Sequence, residues 1–116
     1  MRTLLNSRGS AGLEPKENTL VHRLERNLRD VNQLRKNLNS YNCEPQTYNE
    51  YTRIEALKNG LDTFKERNKQ IIDSIKKQAE PLNGCIKKVK DQYSEFNALK
   101  SGVEEYMGLA RSKYTH

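Results

Sequence analysis

Three Glu-Pro dipeptides contain all the prolines of the chain: Glu14-Pro15, Glu44-Pro45 and Glu80-Pro81. Proline suits the first turn of a helix, where its missing N–H would have no partner, and an acidic neighbour suits the positive end of the helix dipole. A long segment without proline follows each pair. The spacing therefore predicts three helices. We expect them at about residues 16–41, 46–79 and 84–113.

Each segment carries apolar residues at steps of three and four, which is the pattern of an amphipathic helix. The first seam is Val21, Leu24, Leu28, Val31, Leu34, Leu38 and Tyr41, and polar residues occupy the opposite face. The second seam is Ile54, Leu57, Leu61, Phe64, Asn68, Ile71 and Ile75. The third seam is Ile86, Val89, Tyr93, Phe96, Leu99, Val103, Tyr106 and Ala110.

Two local patterns test these helices. Asn59-Gly60 could form a turn, but the second seam continues through it in phase, which predicts one continuous helix weakened there by about 1 kcal/mol. No stretch of useful length alternates apolar and polar residues, so we expect essentially no strand.

The apolar content is small: 34% of the residues are hydrophobic, 31% are charged, and the mean hydropathy is −1.02. Long amphipathic helices use such a supply economically, and short connections make neighbouring helices antiparallel. The predicted fold is all-α, an elongated antiparallel three-helix bundle or coiled coil over residues 15–114, after a disordered tail at 1–14. In shape it is similar to the three-helix domains of spectrin-like and syntaxin amino-terminal type, although it has no motif specific to either.

The position of the turns predicts how the helices align. Turns near residues 43 and 82 would place Asn68 level with Asn18, so that residues 69–94 would have no first-helix neighbour. The second and third helices would then project as a two-helix tip. Its apolar residues are Ile71, Ile72, Ile75, Leu82, Ile86 and Val89, and its lysines are Lys76, Lys77, Lys87, Lys88 and Lys90.

The predicted tip is also basic. From Lys65 to Asp91, eight basic residues stand against four acidic ones, a net +4 out of +6 for the whole chain. One interpretation is that the two helices pack tightly and the lysines are only solvated. The other is an apolar groove, rimmed by lysine, that receives a partner helix or an acidic surface.

Asn68 is the polar member of the second seam. A buried asparagine in a coiled coil fixes register and oligomeric state at some cost in stability. Alternatively, Asn68 lies where the first helix ends and contacts water. The alignment described above favours contact with water.

Five of the six tyrosines are predicted at the other end of the bundle, because the third helix runs parallel to the first. They are Tyr41, Tyr48, Tyr51, Tyr106 and Tyr114. Tyrosine suits a bundle end, since it combines apolar area with a hydroxyl that tolerates water, and it also suits an interface. We treat this group as a second, weaker contact site.

The two cysteines and the ends of the chain indicate where the protein acts. Cys43 and Cys85 form no CxxC pair, have no neighbouring histidine, and lie at opposite turns, so we expect neither zinc nor an intramolecular disulfide. There is no signal-peptide pattern and no apolar run long enough for a membrane span. Residues 1–13 fit an organelle transit peptide only loosely. We expect a cytoplasmic protein, with the nucleus as the alternative.

The residues that could support catalysis are few. His22 falls on a solvated face and His116 is the last residue, so neither can join a nucleophile and an orienting group. We expect no enzyme activity, no cofactor and no metal.

The favoured function is a helical adaptor or small subunit of a larger cytosolic assembly, with other helical proteins as partners in a hetero-oligomer or a homodimer. The first alternative is nucleic-acid binding through the tip and a basic stripe on the first helix, Arg26, Arg29 and Lys36. Against it, no tyrosine lies on the basic outer face of the first helix to stack on bases. The second alternative is contact with anionic lipid through the lysines.

Overall fold

The computed structural model describes the backbone of residues 15–114 and the side chains of residues 15–110. Within that range the chain forms three long helices and one short 3-10 helix, and no strand. The long helices are α1 (Pro15–Leu38), α2 (Tyr48–Lys76) and α3 (Leu82–Tyr114), and the 3-10 helix is Tyr41–Cys43. The prediction of an all-α three-helix bundle is confirmed. The predicted disordered tail, 1–14, lies outside the described residues.

The molecule is a rod. Its extents are 67 × 21 × 15 Å and its radius of gyration is 18.3 Å, against about 13 Å for a compact domain of 100 residues. The helices pack along their lengths, with α2 antiparallel to both neighbours and α1 parallel to α3. The predicted elongated shape is therefore confirmed.

The helix boundaries differ from the predicted ones by one to three residues, and local hydrogen bonds explain why. At the start of α2, the Thr47 side chain accepts a hydrogen bond from the Glu50 N–H (3.1 Å), while the Glu50 carboxylate accepts one from the Gln46 N–H (2.9 Å). Thr47 is thus the N-cap, and Pro45 lies before the helix rather than inside it.

α2 ends in a Schellman motif, in which the residue after the cap is left-handed. Gln78 has φ of 52°, its N–H donates to the Ile75 carbonyl (3.1 Å), and the Ala79 N–H donates to the Ser74 carbonyl (2.9 Å). α3 then begins directly after Pro81. This tight reversal makes α2 and α3 an antiparallel pair.

α2 is continuous through Asn59-Gly60, as predicted. Gly60 has a packing role there, since a Cβ at this position would lie 2.8 Å from Leu99 Cδ2 of α3. Likewise, a Cβ at Gly102 of α3 would lie 2.9 Å from Leu57 Cδ2 of α2. The two glycines therefore let α2 and α3 approach each other closely.

The core consists of two apolar clusters along the rod. The tyrosine-end cluster contains Val31, Leu38, Cys43, Ile54, Leu61, Phe64, Phe96, Leu99, Val103, Tyr106 and Ala110. The isoleucine-end cluster contains Val21, Leu24, Ile71, Ile72, Ile75, Cys85 and Val89. Each cluster draws residues from all three long helices, so each is a complete section of a three-helix core.

A polar layer of Asn68 and Gln92 separates the clusters. Asn68 is 0% exposed and Gln92 is 4% exposed. Asn68 Nδ2 donates to the Leu24 carbonyl of α1 (3.0 Å), and Gln92 Nε2 donates to Asn68 Oδ1 (2.5 Å) and to the Phe64 carbonyl (3.2 Å). The layer thus joins all three helices by hydrogen bonds in the interior. The expectation that Asn68 contacts water is wrong.

The same contact corrects the predicted alignment. Asn68 lies beside Leu24 rather than Asn18, a shift of six residues, or about 9 Å along α1. Counting from this contact puts Leu38 level with Ile54, so residues 48–53 of α2 extend past the end of α1. The connection allows this because its 3-10 helix continues along α3, where the Tyr106 hydroxyl donates to the Cys43 carbonyl (2.8 Å).

The two-helix tip is therefore wrong as a structural expectation. α1 packs over the residues that were expected to lack it, since Val21 and Leu24 belong to the isoleucine-end cluster. Ile71, Ile72, Ile75 and Val89 are all buried. The two-helix overhang lies at the opposite end of the rod.

We expect the polar layer to be energetically coupled. Replacing one amide leaves its buried partner without a hydrogen bond, so Asn68→Leu and Gln92→Leu should each lower the free energy of unfolding by about 1–3 kcal/mol. The double variant should be more stable than the sum of the two losses implies, by at least about 1 kcal/mol. Urea denaturation followed by circular dichroism measures all four proteins. Simple additivity would show that the two side chains do not act together.

Candidate functional site

Three of the predicted contact lysines form ion pairs on the surface. Lys76 pairs with Glu25 of α1 (3.8 Å), Lys77 with Asp73 (3.1 Å), and Lys88 with Glu80 (2.6 Å). The hydrogen bond that Lys88 donates to the Glu80 carboxylate is the main cause that raises the pKa of Lys88. These exposed pairs add little stability, but they offset part of the positive charge on two sides of the rod.

The other residues of the predicted contact set divide into two groups. Lys87 and Lys90 are exposed and form no ion pair with any residue of the described part. Leu82 and Ile86 are half-buried. Of the apolar members of the set, only these two still reach the surface.

Apolar and basic residues meet on the surface at the groove between α1 and α3. A first depression of about 370 Å³ is lined by Pro15, Lys16, Thr19, Leu20, Arg23 and Ile86. A second, of about 390 Å³, is lined by Arg23, Arg26, Asn27 and Tyr93. Because Arg23 lines both, the two depressions form one feature, which we call the α1–α3 groove.

Tyr93 faces this groove and not the core. The third seam predicted it as an inward residue, yet its side chain is 57% exposed, and the neighbouring Gln92 occupies the interior. The two positions are linked, because Gln92 is the interior partner of Asn68. A signal was present in the sequence, since a buried amide in α2 requires a polar partner from a facing helix.

The basic stripe is exposed, as predicted, at Arg26, Arg29 and Lys36. Only Arg26 lines the α1–α3 groove, where it shares the lining with Tyr93. Tyr93 of α3 therefore lies beside Arg26, although α1 itself carries no tyrosine in the described range. The sequence analysis did not predict a surface site at Lys16, Leu20, Arg23 and Tyr93. The reason is that α1 was expected not to reach this end of α2 and α3.

The ion pairs that join helices lie at the boundaries of α2 with its two neighbours. Among the described side chains, ion pairs link α1 to α2 (Arg35–Asp62 at 3.1 Å and Lys76–Glu25) and α2 to α3 (Arg53–Glu105). None links α1 to α3 in that range.

The basic residues beside the groove come from both of its helices. Lys16, Arg23 and Arg26 lie on the α1 side. Lys90 follows Ile86 and precedes Tyr93 by one turn on α3. No acidic side chain lines either depression of the groove.

The tyrosine end is only partly a surface. Tyr41, Tyr48 and Tyr51 are exposed, as is Leu109 of α3, whereas Tyr106 is buried. Tyr114 lies in α3, but its side chain is outside the described set. Most of the large exposed apolar side chains in the described range thus lie at the overhanging end.

His22 is exposed on the polar face of α1. No group of three or more His, Cys, Asp or Glu side chains in the described part could hold a metal ion. No helix in that part has the length and apolar character to cross a bilayer.

Comparison with protein-family models, curated proteins and solved structures found no match for the chain.

We expect both thiols to be protected in the folded protein. Cys43 and Cys85 are unpaired and buried in different clusters. Burial, followed by the charge of Glu80, raises the pKa of Cys85, so less of the reactive thiolate forms at neutral pH. Ellman's reagent should label both thiols slowly in buffer and at the rate of free cysteine in urea. Rapid labelling of either thiol in buffer would contradict the packing.

Proposed function

We propose that this chain is a non-enzymatic helical adaptor, a small subunit of a larger cytosolic assembly of the tethering, trafficking, cytoskeletal or kinetochore type. It binds a helix of a partner protein through the α1–α3 groove. The groove lies at the end of the rod where the sequence predicted the contact site, but on a different surface. The contact surface is the boundary between the parallel helices, since the isoleucines are already covered by α1.

The observation that carries the proposal is the composition of this groove. Leu20, Ile86 and Tyr93 present apolar surface that the fold leaves partly open, and basic side chains of α1 line the groove. Lys90 of α3 lies one turn from both Ile86 and Tyr93. A helix in a groove buries an apolar stripe and places its flanking residues against the rim. Burial of the apolar stripe supplies most of the affinity, and the charges contribute rate and orientation.

The shape of the molecule supports an adaptor. The rod is 67 Å long and only 15 Å thick in its thinnest direction, so it separates two ends while enclosing little volume. The α1–α3 groove lies near one end and the exposed Tyr41, Tyr48 and Tyr51 surround the other. Such a molecule is suited to joining proteins rather than to enclosing a substrate.

Affinity purification of the tagged chain tests the proposal. The groove variant Ile86→Ser/Tyr93→Ser removes one aliphatic and one tyrosine side chain, and the control Leu109→Ser/Tyr48→Ser removes the same types at the opposite end. We expect the proteins recovered with wild type to fall about tenfold with the groove variant and to stay unchanged with the control. Thermal melts confirm first that both variants are folded.

Two results would contradict the proposal. One is recovery of the same proteins by the groove variant. The other is that wild type enriches nothing over the tag alone. Loss only with the control variant would move the contact to the tyrosine end.

Nucleic-acid binding is the second candidate, and one observation favours it. Tyr93 is exposed and shares a depression with Arg23 and Arg26, which is the pairing of aromatic and basic groups that single strands use. The apolar lining from Leu20 and Ile86 argues against it, because the phosphates and sugars of a nucleic acid would not bury this apolar surface.

A gel shift in low salt separates the two candidates. If the groove binds nucleic acid, single strands should be retarded, and the affinity should fall steeply as salt rises. Tyr93→Ala should weaken this binding by about tenfold, because stacking on one base contributes about 1–3 kcal/mol. The adaptor proposal expects no retardation of single strands or duplex.

A further inference from the structure

The occupant of the α1–α3 groove can be described more closely from its charges. The inference in this section rests on the adaptor function proposed above, since it concerns the same groove. The relevant side chains are Lys16, Arg23 and Arg26 on α1 and Lys90 on α3. None of the four forms an ion pair with another residue in the described range.

No acidic residue lines either depression, and three acidic residues lie nearby. Glu25 lies on the opposite side of α1 and pairs with Lys76. Glu17 is half-buried. Its charge, together with burial and the charge of Glu80, raises the pKa of Cys85, so Glu17 lies near that thiol. Asp30 is one turn beyond Arg26, past the end of the second depression. The groove itself is lined by basic, apolar and neutral polar side chains.

The backbone adds to the positive potential. α1 and α3 run parallel, so both begin at this end of the rod, at Pro15 and Leu82. The amino-terminal end of a helix carries a partial positive charge. Two such ends adjoin the groove, whereas α2 contributes one carboxyl-terminal end. The dipoles therefore reinforce the basic side chains.

The apolar part of the groove favours a protein helix over a nucleic acid as the occupant. Leu20 and Ile86 form an apolar patch in the first depression, and Tyr93 lies in the second. From Pro15 to Asn27 the groove follows α1 for about 18 Å, which is the length of about three helical turns. A helix with apolar residues at i, i+3 or i+4 and i+7 has an apolar stripe about 10 Å long, which fits within this length.

We infer that the α1–α3 groove binds an acidic amphipathic helix of a partner protein. The apolar stripe of that helix packs on Leu20, Ile86 and Tyr93. Glu or Asp residues beside the stripe meet Arg23 and Arg26 on one wall and Lys90 on the other. Specificity comes from the like charge of the two walls, because a basic helix with the same stripe is repelled by both.

A defined peptide tests the inference with the full chain. The probe has 14 residues, with leucine at three positions spaced i, i+4 and i+7 and glutamate beside them. One control peptide replaces every glutamate by lysine, and a second keeps the glutamates and replaces the leucines by serine. Fluorescence anisotropy measures affinity, and amide shifts in ¹⁵N spectra locate the site. We expect binding of the first peptide only, with shifts at residues 16–27 and 86–93.

Charge reversal on α1 provides the matched variants. Arg23→Glu/Arg26→Glu changes the groove wall, and Arg29→Glu/Lys36→Glu makes the same change in net charge on the outer face of the same helix. The groove variant should weaken the probe by about tenfold, while the outer-face variant should change it less than about threefold. Equal losses would mean that only the net charge of the chain attracts the peptide, which overturns the inference.

Other outcomes also decide between occupants. Equal binding of the lysine peptide, or shifts mapped to another surface, would overturn the inference. So would retention on anionic vesicles or single-stranded DNA without binding of the acidic probe. If affinity purification instead finds a groove-dependent partner whose contact helix is not acidic, the adaptor proposal stands and this inference fails.

Discussion

The hydrogen bond from Asn68 to the Leu24 carbonyl is the contact on which the rest of the structure depends. It joins α2 to the backbone of α1 in the interior, and Gln92 extends the same layer to α3. A buried amide without a partner costs more than a net hydrogen bond contributes, so the layer disfavours alignments in which these groups do not meet. Asn68 thus has the part that a buried asparagine has in a coiled coil, which is to select one register.

That register determines which surfaces are covered. With Leu24 beside Asn68, the first half of α1 lies over Ile72 and Ile75, and the isoleucine-end cluster is closed. The overhang moves to the tyrosine end, where the 3-10 helix and Tyr106 complete the core. Because Gln92 is required in the interior, Tyr93 lies outside it, beside Arg23 and Arg26. The α1–α3 groove is therefore a consequence of the polar layer.

The helices could be predicted from the sequence because their signals are local. Seam residues such as Leu61, Phe64 and Val103 are buried as the spacing indicated. The alignment of α1 could not be predicted, since it depends on the path of residues 39–47, which continue along α3 instead of turning back symmetrically. That error placed Asn68 in water and left the isoleucines uncovered, and so the contact site was expected on the wrong surface. Tyr93 was expected in the interior for a further reason, since the spacing of seam residues alone does not decide between adjacent positions such as Gln92 and Tyr93.

The most direct test of this account is the contact between α1 and the isoleucines of α2. Methyl-labelled protein gives nuclear Overhauser effects between side chains that touch. The account predicts cross-peaks from the methyl groups of Leu24 and Val21 to those of Ile72 and Ile75. If those isoleucine methyl groups instead show cross-peaks only to α3 and to water, α1 does not cover them, and both the register and the groove derived from it are wrong.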